Sequence, residues 1–249
     1  IKLLLIFLLL SFNISAQERI IALSPAINEI LFALGVNKQI VGNTQHCTYP
    51  SSSLSITKVG GYANPSLERI VALKPSLVIL QDHNYQLAKR LKQLQIETKI
   101  IHINSLQSIK KAIFDIGYLT DTTKEAKKIV LSIDNELRSI KDIIHNQKIM
   151  IVFGHNTDLV KRIFVAGKNL YFNDIIEYSG NQNAFITQNL SQPILNMENI
   201  IASNPDIVIL LAHSMQRFNV TASKLIAPWK ALPISAAKKE SIYIIDKPY

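Results

Sequence analysis

The sequence predicts an α/β protein built as two parallel-sheet lobes joined by one long helix. Three observations predict it. Short β-branched runs alternate with amphipathic helical stretches in both halves of the chain, one long helical period occupies the middle, and a fourteen-residue segment of the first half recurs in the second. Strand–helix alternation implies parallel strands joined by crossover helices that cover both faces of a sheet. The 249 residues leave room for two lobes of roughly 100 residues each.

In chain order, Arg19 to Leu23 reads as a strand, with Ser24-Pro25 as helix N-cap and first helical position. Ile27, Ile30, Leu31 and Leu34 form one apolar stripe, closed by Gly35. Ile40 to Gly42 begins another strand. The stretch 43–64 is polar and turn-rich, and holds His46, Cys47, Tyr49, Pro50 and Gly60-Gly61-Tyr62. A helix follows over Ser66–Leu73, a buried strand over Leu77–Leu80, a helix through Leu87, Leu91 and Leu94, and a strand over Thr98–Ile103. Ala126, Val130, Ile133, Leu137, Ile140 and Ile144 then recur at spacings of three and four. Thr122 and Glu125 stand as a capping box before them, so one helix of about 25 residues is expected near 121–146. Alternation resumes at Lys148–Phe153 and runs to Ile242–Ile245. The expected boundaries are therefore 17–118 for the first lobe, 119–147 for the helix and 148–249 for the second lobe.

The repeat aligns Leu67–Leu80 on Met197–Leu210 without gaps, with seven of fourteen positions identical. Burial accounts for the apolar matches in a helix–Pro–strand unit. It does not account for Glu68 and Glu198, one at each helix start. A carboxylate there either favours the helix dipole or serves a surface contact, and the residues alone leave both open.

The first sixteen residues form a separate object. Lys2 precedes an apolar run from Leu3 to Phe12, and Ala16 follows, the pattern of a secretory signal. The run is short for a bilayer span of roughly 20 residues; an uncleaved signal anchor is the alternative. Export to the periplasm, with a mature chain beginning at Gln17, is the expectation.

Composition and motifs exclude several classes. Apolar residues make up 48% of the chain, enough for a packed core. The single cysteine, Cys47, excludes an intramolecular disulfide framework and a cysteine-cluster metal site. The net charge of +9 comes from scattered lysines rather than an arginine-rich or aromatic-interleaved patch, which argues against a nucleic-acid partner. No P-loop, G-x-G-x-x-G, G-x-S-x-G or H-E-x-x-H pattern occurs. Ser108-Ile-Lys-Lys111 is a bare S-x-x-K on a helical stretch and reads as surface. The six histidines lack metal-ligand spacing. No cofactor or metal is expected, and no enzyme.

Three histidines fall where open α/β sheets bind ligands, just beyond the carboxyl ends of strands. His83 and His213 each stand three residues past equivalent strands of the repeat, and His155 follows Phe153 in the same manner. They either line a cleft between lobes or are plain loop residues.

The segments Arg19–Gly35, Val41-Gly42, Cys47-Thr-Tyr-Pro50 and Val59–Pro75 resemble the cobalamin-type periplasmic binding proteins of ABC importers. These form part of a helical-backbone family that also contains haem and ferric-siderophore receptors. The resemblance covers nearly the whole chain after residue 16. It implies two Rossmann-like lobes, a ligand cleft between them and a rigid interlobe helix. It implies that Glu68 and Glu198 dock into arginine pockets of a dimeric permease driven by its ATPase, and that Tyr62 and Tyr49 line the cleft as flat aromatics suited to a corrin ring. Tyr49, next to Pro50, is otherwise a packed turn residue. Two departures stand out. Gln192-Pro193 occupies a place where a cobalamin binder can carry Trp-Pro, and the sequence stops at Tyr249, where family members usually continue through one more helix.

The reading is a monomeric periplasmic receptor that captures a corrinoid and delivers it to an inner-membrane ABC permease. The same receptor loaded with haem would give His83, His155 or His213 an axial role. An anionic siderophore would call for cleft arginines, and only Arg162 and Arg217 lie near the second lobe's loops. A more distant alternative is an exported α/β enzyme, for which a nucleophile–base pair is missing.

Overall fold

The structure, a computed structural model, describes residues 18–160, 162–186, 190–213 and 215–246. Residues 1–16, where a signal is expected, Gln17, the Arg217 side chain and Tyr249 lie outside the described residues. The chain divides between Ile100 and Ile101 into two compact units.

In the first unit β1 (Ile20–Ala22), β2 (Ile40–Asn43), β3 (Leu77–Gln81) and β4 (Glu97–Ile101) form a sheet in the order β2-β1-β3-β4. β1 runs parallel to both of its neighbours. β1 and β3 are apolar at every position but the last of β3 and buried throughout, as strands covered on both faces must be. The connections hold α1 (Pro25–Ala33), α2 (Leu67–Ala72) and α3 (Tyr85–Gln93). Ser24 caps α1 by accepting from the Ile27 amide at 3.2 Å, with Pro25 in the first turn, as the sequence predicts. Ile21, Leu23, Ile70, Val78, Leu80 and Leu91 form the core between sheet and helices.

The second unit opens with a helical hairpin, α4 (Leu106–Leu119) and α5 (Thr123–Ile140). A Cβ on Gly117 would lie 2.6 Å from that of Ala126, so glycine permits the close approach. Lys110 of α4 pairs with Asp134 of α5. The helix expected over about 121–146 is thus shorter, 18 residues, ending at Ile140. Lys141 is extended and Asp142 is left-handed at φ 57°, which breaks the helix although the apolar spacing runs on to Ile144. The capping box does not form either, because the Thr122 hydroxyl meets Thr120 Oγ1 at 2.8 Å instead of an amide.

Six further strands make the second sheet: β5 (Lys148–Phe153), β6 (Ile163–Val165), β7 (Gln182–Asn183), β8 (Ile194–Leu195), β9 (Ile207–Leu211) and β10 (Ile242–Ile245). Their order is β10-β9-β5-β6-β8, with β7 also on β5. β10, β9, β5 and β7 are parallel, whereas β6 and β8 are antiparallel. The parallel sheet expected in this half thus also carries two antiparallel strands. Only nine residues separate β5 from β6, and a parallel crossover needs about a dozen or more. Helices α6 (Tyr171–Tyr178), α7 (Met197–Ser203), α8 (Ala222–Lys230) and α9 (Ser235–Lys238) flank this sheet, and Trp229 of α8 is buried in its core.

The internal repeat is structural. It folds as α2–β3 in one unit and α7–β9 in the other, with Ile70 and Ile200 both fully buried. Lys74 and Asn204 occupy equivalent left-handed positions, at φ 46° and 42°, each just before a proline. Ser76 Oγ accepts from the Arg19 amide at 2.9 Å, and Asp206 Oδ2 accepts from the Lys148 amide at 3.0 Å. Those amides precede or open β1 and β5. The repeat therefore extends beyond its fourteen residues to the strand that each unit places beside it.

Candidate functional site

In the first unit the carboxyl ends of β1 and β3 lie side by side and deliver Ser24 and Gln81. Gln81 Nε2 donates to Ser24 Oγ at 3.1 Å, and the Tyr62 hydroxyl donates to Gln81 Oε1 at 2.6 Å. Tyr62 reaches this point on a tight turn. Gly60 sits at φ 121°, where a Cβ would meet the Asn64 carbonyl at 2.8 Å, and Gly60 pairs with Pro65 across the turn. The His83 ring lies over the Tyr62 ring with centroids 4.3 Å apart. Asn84, buried, donates from Nδ2 to His83 Nε2 at 2.8 Å and to the Tyr62 carbonyl at 3.3 Å. Burial, and then the Asp82 carboxylate, push the Tyr62 phenol above its usual value, so it stays protonated.

Tyr49 stands on the same unit and is 54% exposed. The backbone beneath it is fixed, since its carbonyl accepts from Asn28 Nδ2 at 3.0 Å and from Ser53 Oγ at 3.0 Å. Asn28 and Asn43 are joined at 3.0 Å, and Lys58 Nζ donates to Asn43 Oδ1, the Cys47 carbonyl and the Ser53 carbonyl. This knot ties down the polar stretch that carries Tyr49. Cys47 is buried beside it, its thiol raised by burial and thus unreactive. The ring is presented outward rather than packed into its turn, and among the described residues it makes no ring contact with Tyr62.

In the second unit the parallel pairing of β5 and β9 matches Phe153 with Leu211 and brings the two following histidines together. His155 Nε2 lies 2.8 Å from the His213 carbonyl, so that nitrogen carries the proton. The His155 ring stacks on Phe218 with centroids 4.3 Å apart, and Phe218 is 58% exposed. Phe153, Phe172 and Tyr171 form a second run of rings at the start of α6. Phe218, Phe172 and Tyr171 were not singled out by sequence. A lone aromatic in a loop carries no periodic signal, and only the strand pairing gathers these.

Glu68 and Glu198 are each the second residue of their helix and both are exposed. The caps Ser66 and Asn196 already accept from the Arg69 and Asn199 amides, at 3.3 and 2.8 Å. The amides that a capping side chain satisfies are thus served without either glutamate. An apolar depression of about 640 Å³ in the second unit is lined by Ile143, Ile144, Ile149, Ile207, Ile209 and Tyr243 among others. It holds none of the candidate residues. Among the described residues no His, Cys, Asp or Glu cluster could hold a metal ion, and no helix is long and apolar enough to cross a membrane.

The chain is a two-unit α/β protein with rings and imidazoles beyond strand ends in each unit, the kind of place where open α/β sheets take ligands. The chain belongs to the periplasmic binding protein family, whose pattern matches residues 20–249. It is 26% identical over 200 residues to the vitamin B12-binding protein of Vibrio parahaemolyticus, covering 80% of this chain and 72% of that one. Among solved structures it is similar to the periplasmic heme-binding protein HutB of Vibrio cholerae, at 24% identity and TM-score 0.76, covering 93% of this chain and 90% of that one. It is also similar to the periplasmic vitamin B12-binding protein BtuF of the same organism, at 20% identity and TM-score 0.75, covering 92% and 88%. Membership makes this chain a substrate-binding protein and not an enzyme.

Proposed function

We propose that this protein captures a corrinoid in the periplasm and hands it to an inner-membrane ABC permease with its ATPase. The residues proposed to serve binding are Tyr49, Tyr62 and His83 of the first unit and His155 and His213 of the second. The observation that carries the ligand class is the state of the imidazoles. His83 Nε2 is held by Asn84 and His155 Nε2 by the His213 carbonyl, which leaves ring faces rather than those nitrogens to meet a ligand. Ring faces suit packing against a macrocycle, and a corrin arrives with its metal already ligated and needs no axial imidazole from the protein. The names of the curated relatives support the same class.

Titration of the purified protein with cyanocobalamin, haemin and a ferric siderophore, followed by visible absorbance, tests the proposal. Saturable binding of cyanocobalamin is expected. Binding of haemin alone, with a shifted Soret band, would replace the corrinoid with haem and give the histidines an axial role. Release of residues 1–16 on export is part of the proposal. N-terminal sequencing of the periplasmic fraction is expected to begin at Gln17, and recovery of the intact chain only in membranes would indicate an anchor.

A further inference from the structure

We propose that Gln81 is a positioning residue that aims the Tyr62 phenol at the ligand and fixes which way its hydroxyl points. The inference rests on Tyr62 lining the ligand site. Gln81 is 7% exposed and Ser24 1%. Ser24 Oγ accepts from the Ile27 amide and from Gln81 Nε2, which sets the Gln81 amide with its nitrogen towards Ser24. Gln81 Oε1 then faces Tyr62, and the phenol donates its proton inward, across 2.6 Å. What Tyr62 offers outward is a ring face and an oxygen that can only accept. A ligand rimmed with carboxamide N–H groups, as a corrinoid is, has donors for that oxygen. A ligand rimmed only with carboxylates has none, so the relay bears on specificity as well as affinity. The His83 ring packs against the Tyr62 ring, and Asn84 holds the Tyr62 backbone through its carbonyl.

The test is a double-mutant cycle on the full chain, read by cyanocobalamin titration, with thermal melting of each variant as the folding control. Gln81→Met keeps length and volume but removes both polar atoms. It is expected to weaken binding about 3- to 10-fold, the worth of one buried hydrogen bond. Tyr62→Phe is expected to lose the same factor, and the double variant no more than either single change. Equal losses from Gln81→Met with Tyr62 and with Phe at position 62, or no loss, would overturn the inference, because a packing role does not depend on the hydroxyl. If Gln81→Met fails to fold, Ser24→Ala, which frees the amide to turn over, takes its place with the same coupled loss expected. Tyr62→Ala separates the two levels. Wild-type affinity there removes Tyr62 from the site, whereas weakened binding there with wild-type binding by Gln81→Met sinks only the role of Gln81.

Discussion

At the scale of single residues, the most consequential side chains are buried polar ones. Asn28 and Asn43 are fully buried in the first unit and spend their hydrogen bonds on Ser53, Lys58 and the Tyr49 carbonyl. A buried polar group is tolerable only when paired, and here the pairing fixes the loop that presents Tyr49. Asn28→Ala strands its partners and should cost about 1–3 kcal/mol of stability. It should also loosen ligand binding through Tyr49. Urea denaturation gives the first quantity and titration the second, and a variant of unchanged stability would show that the knot does not hold the loop.

At the scale of elements, each unit uses the same device to start its sheet, a side chain two residues after a left-handed position that caps an amide of the neighbouring strand. In the second unit this is Asp206. The Lys239 ammonium at 2.9 Å and then the Lys148 amide hold its carboxyl below the ordinary carboxylate value. A depressed carboxyl pKa contributes stability above its unfolded value and loses it as pH falls through the folded one. Asp206→Asn should therefore cost about 1 kcal/mol at pH 7, an exposed pair being screened. The gap to wild type should begin to close near the unfolded carboxyl value of about 4. Paired denaturation curves at pH 7 and pH 3 check it, and a gap that widens in acid would reverse the assignment. Elsewhere the elements depart from the simplest pattern where the chain is short, as in the antiparallel β6, or locally broken, as at Asp142.

At the scale of the whole molecule, the repeat puts one exposed glutamate at an equivalent helix start in each unit. Both helices are capped without them, so neither glutamate is needed as a cap. Docking of Glu68 and Glu198 onto a dimeric permease predicts that Glu68→Ala with Glu198→Ala abolishes uptake in a reconstituted importer and leaves cyanocobalamin affinity unchanged. Removing one partner of a buried charge pair costs about 2–5 kcal/mol at an interface. The dipole role alone would cost at most about 1 kcal/mol of stability per site, with normal uptake.

The sequence by itself determined the α/β class, the strand–helix alternation of the first unit and the repeat. These follow from local rules: β-branched runs, apolar spacing, Ser-Pro at a helix start, and loops at strand ends. It also placed the three histidines, because the carboxyl end of a strand can be read from the strand, whereas Tyr62 and Tyr49 were singled out through the family resemblance. Tertiary structure decided the rest. That Tyr62 meets His83, that His155 bonds to the His213 carbonyl, and that Gln81 joins Ser24 to Tyr62 depends on which strands become neighbours. The Asn28–Asn43 knot has no sequence signature, since an asparagine reads as a loop residue until its burial is known. The end of α5 at Ile140 rather than past Ile144 was likewise decided by the turn at Asp142. Periodicity records which residues seek burial, and only the packed chain supplies the partners that bury them.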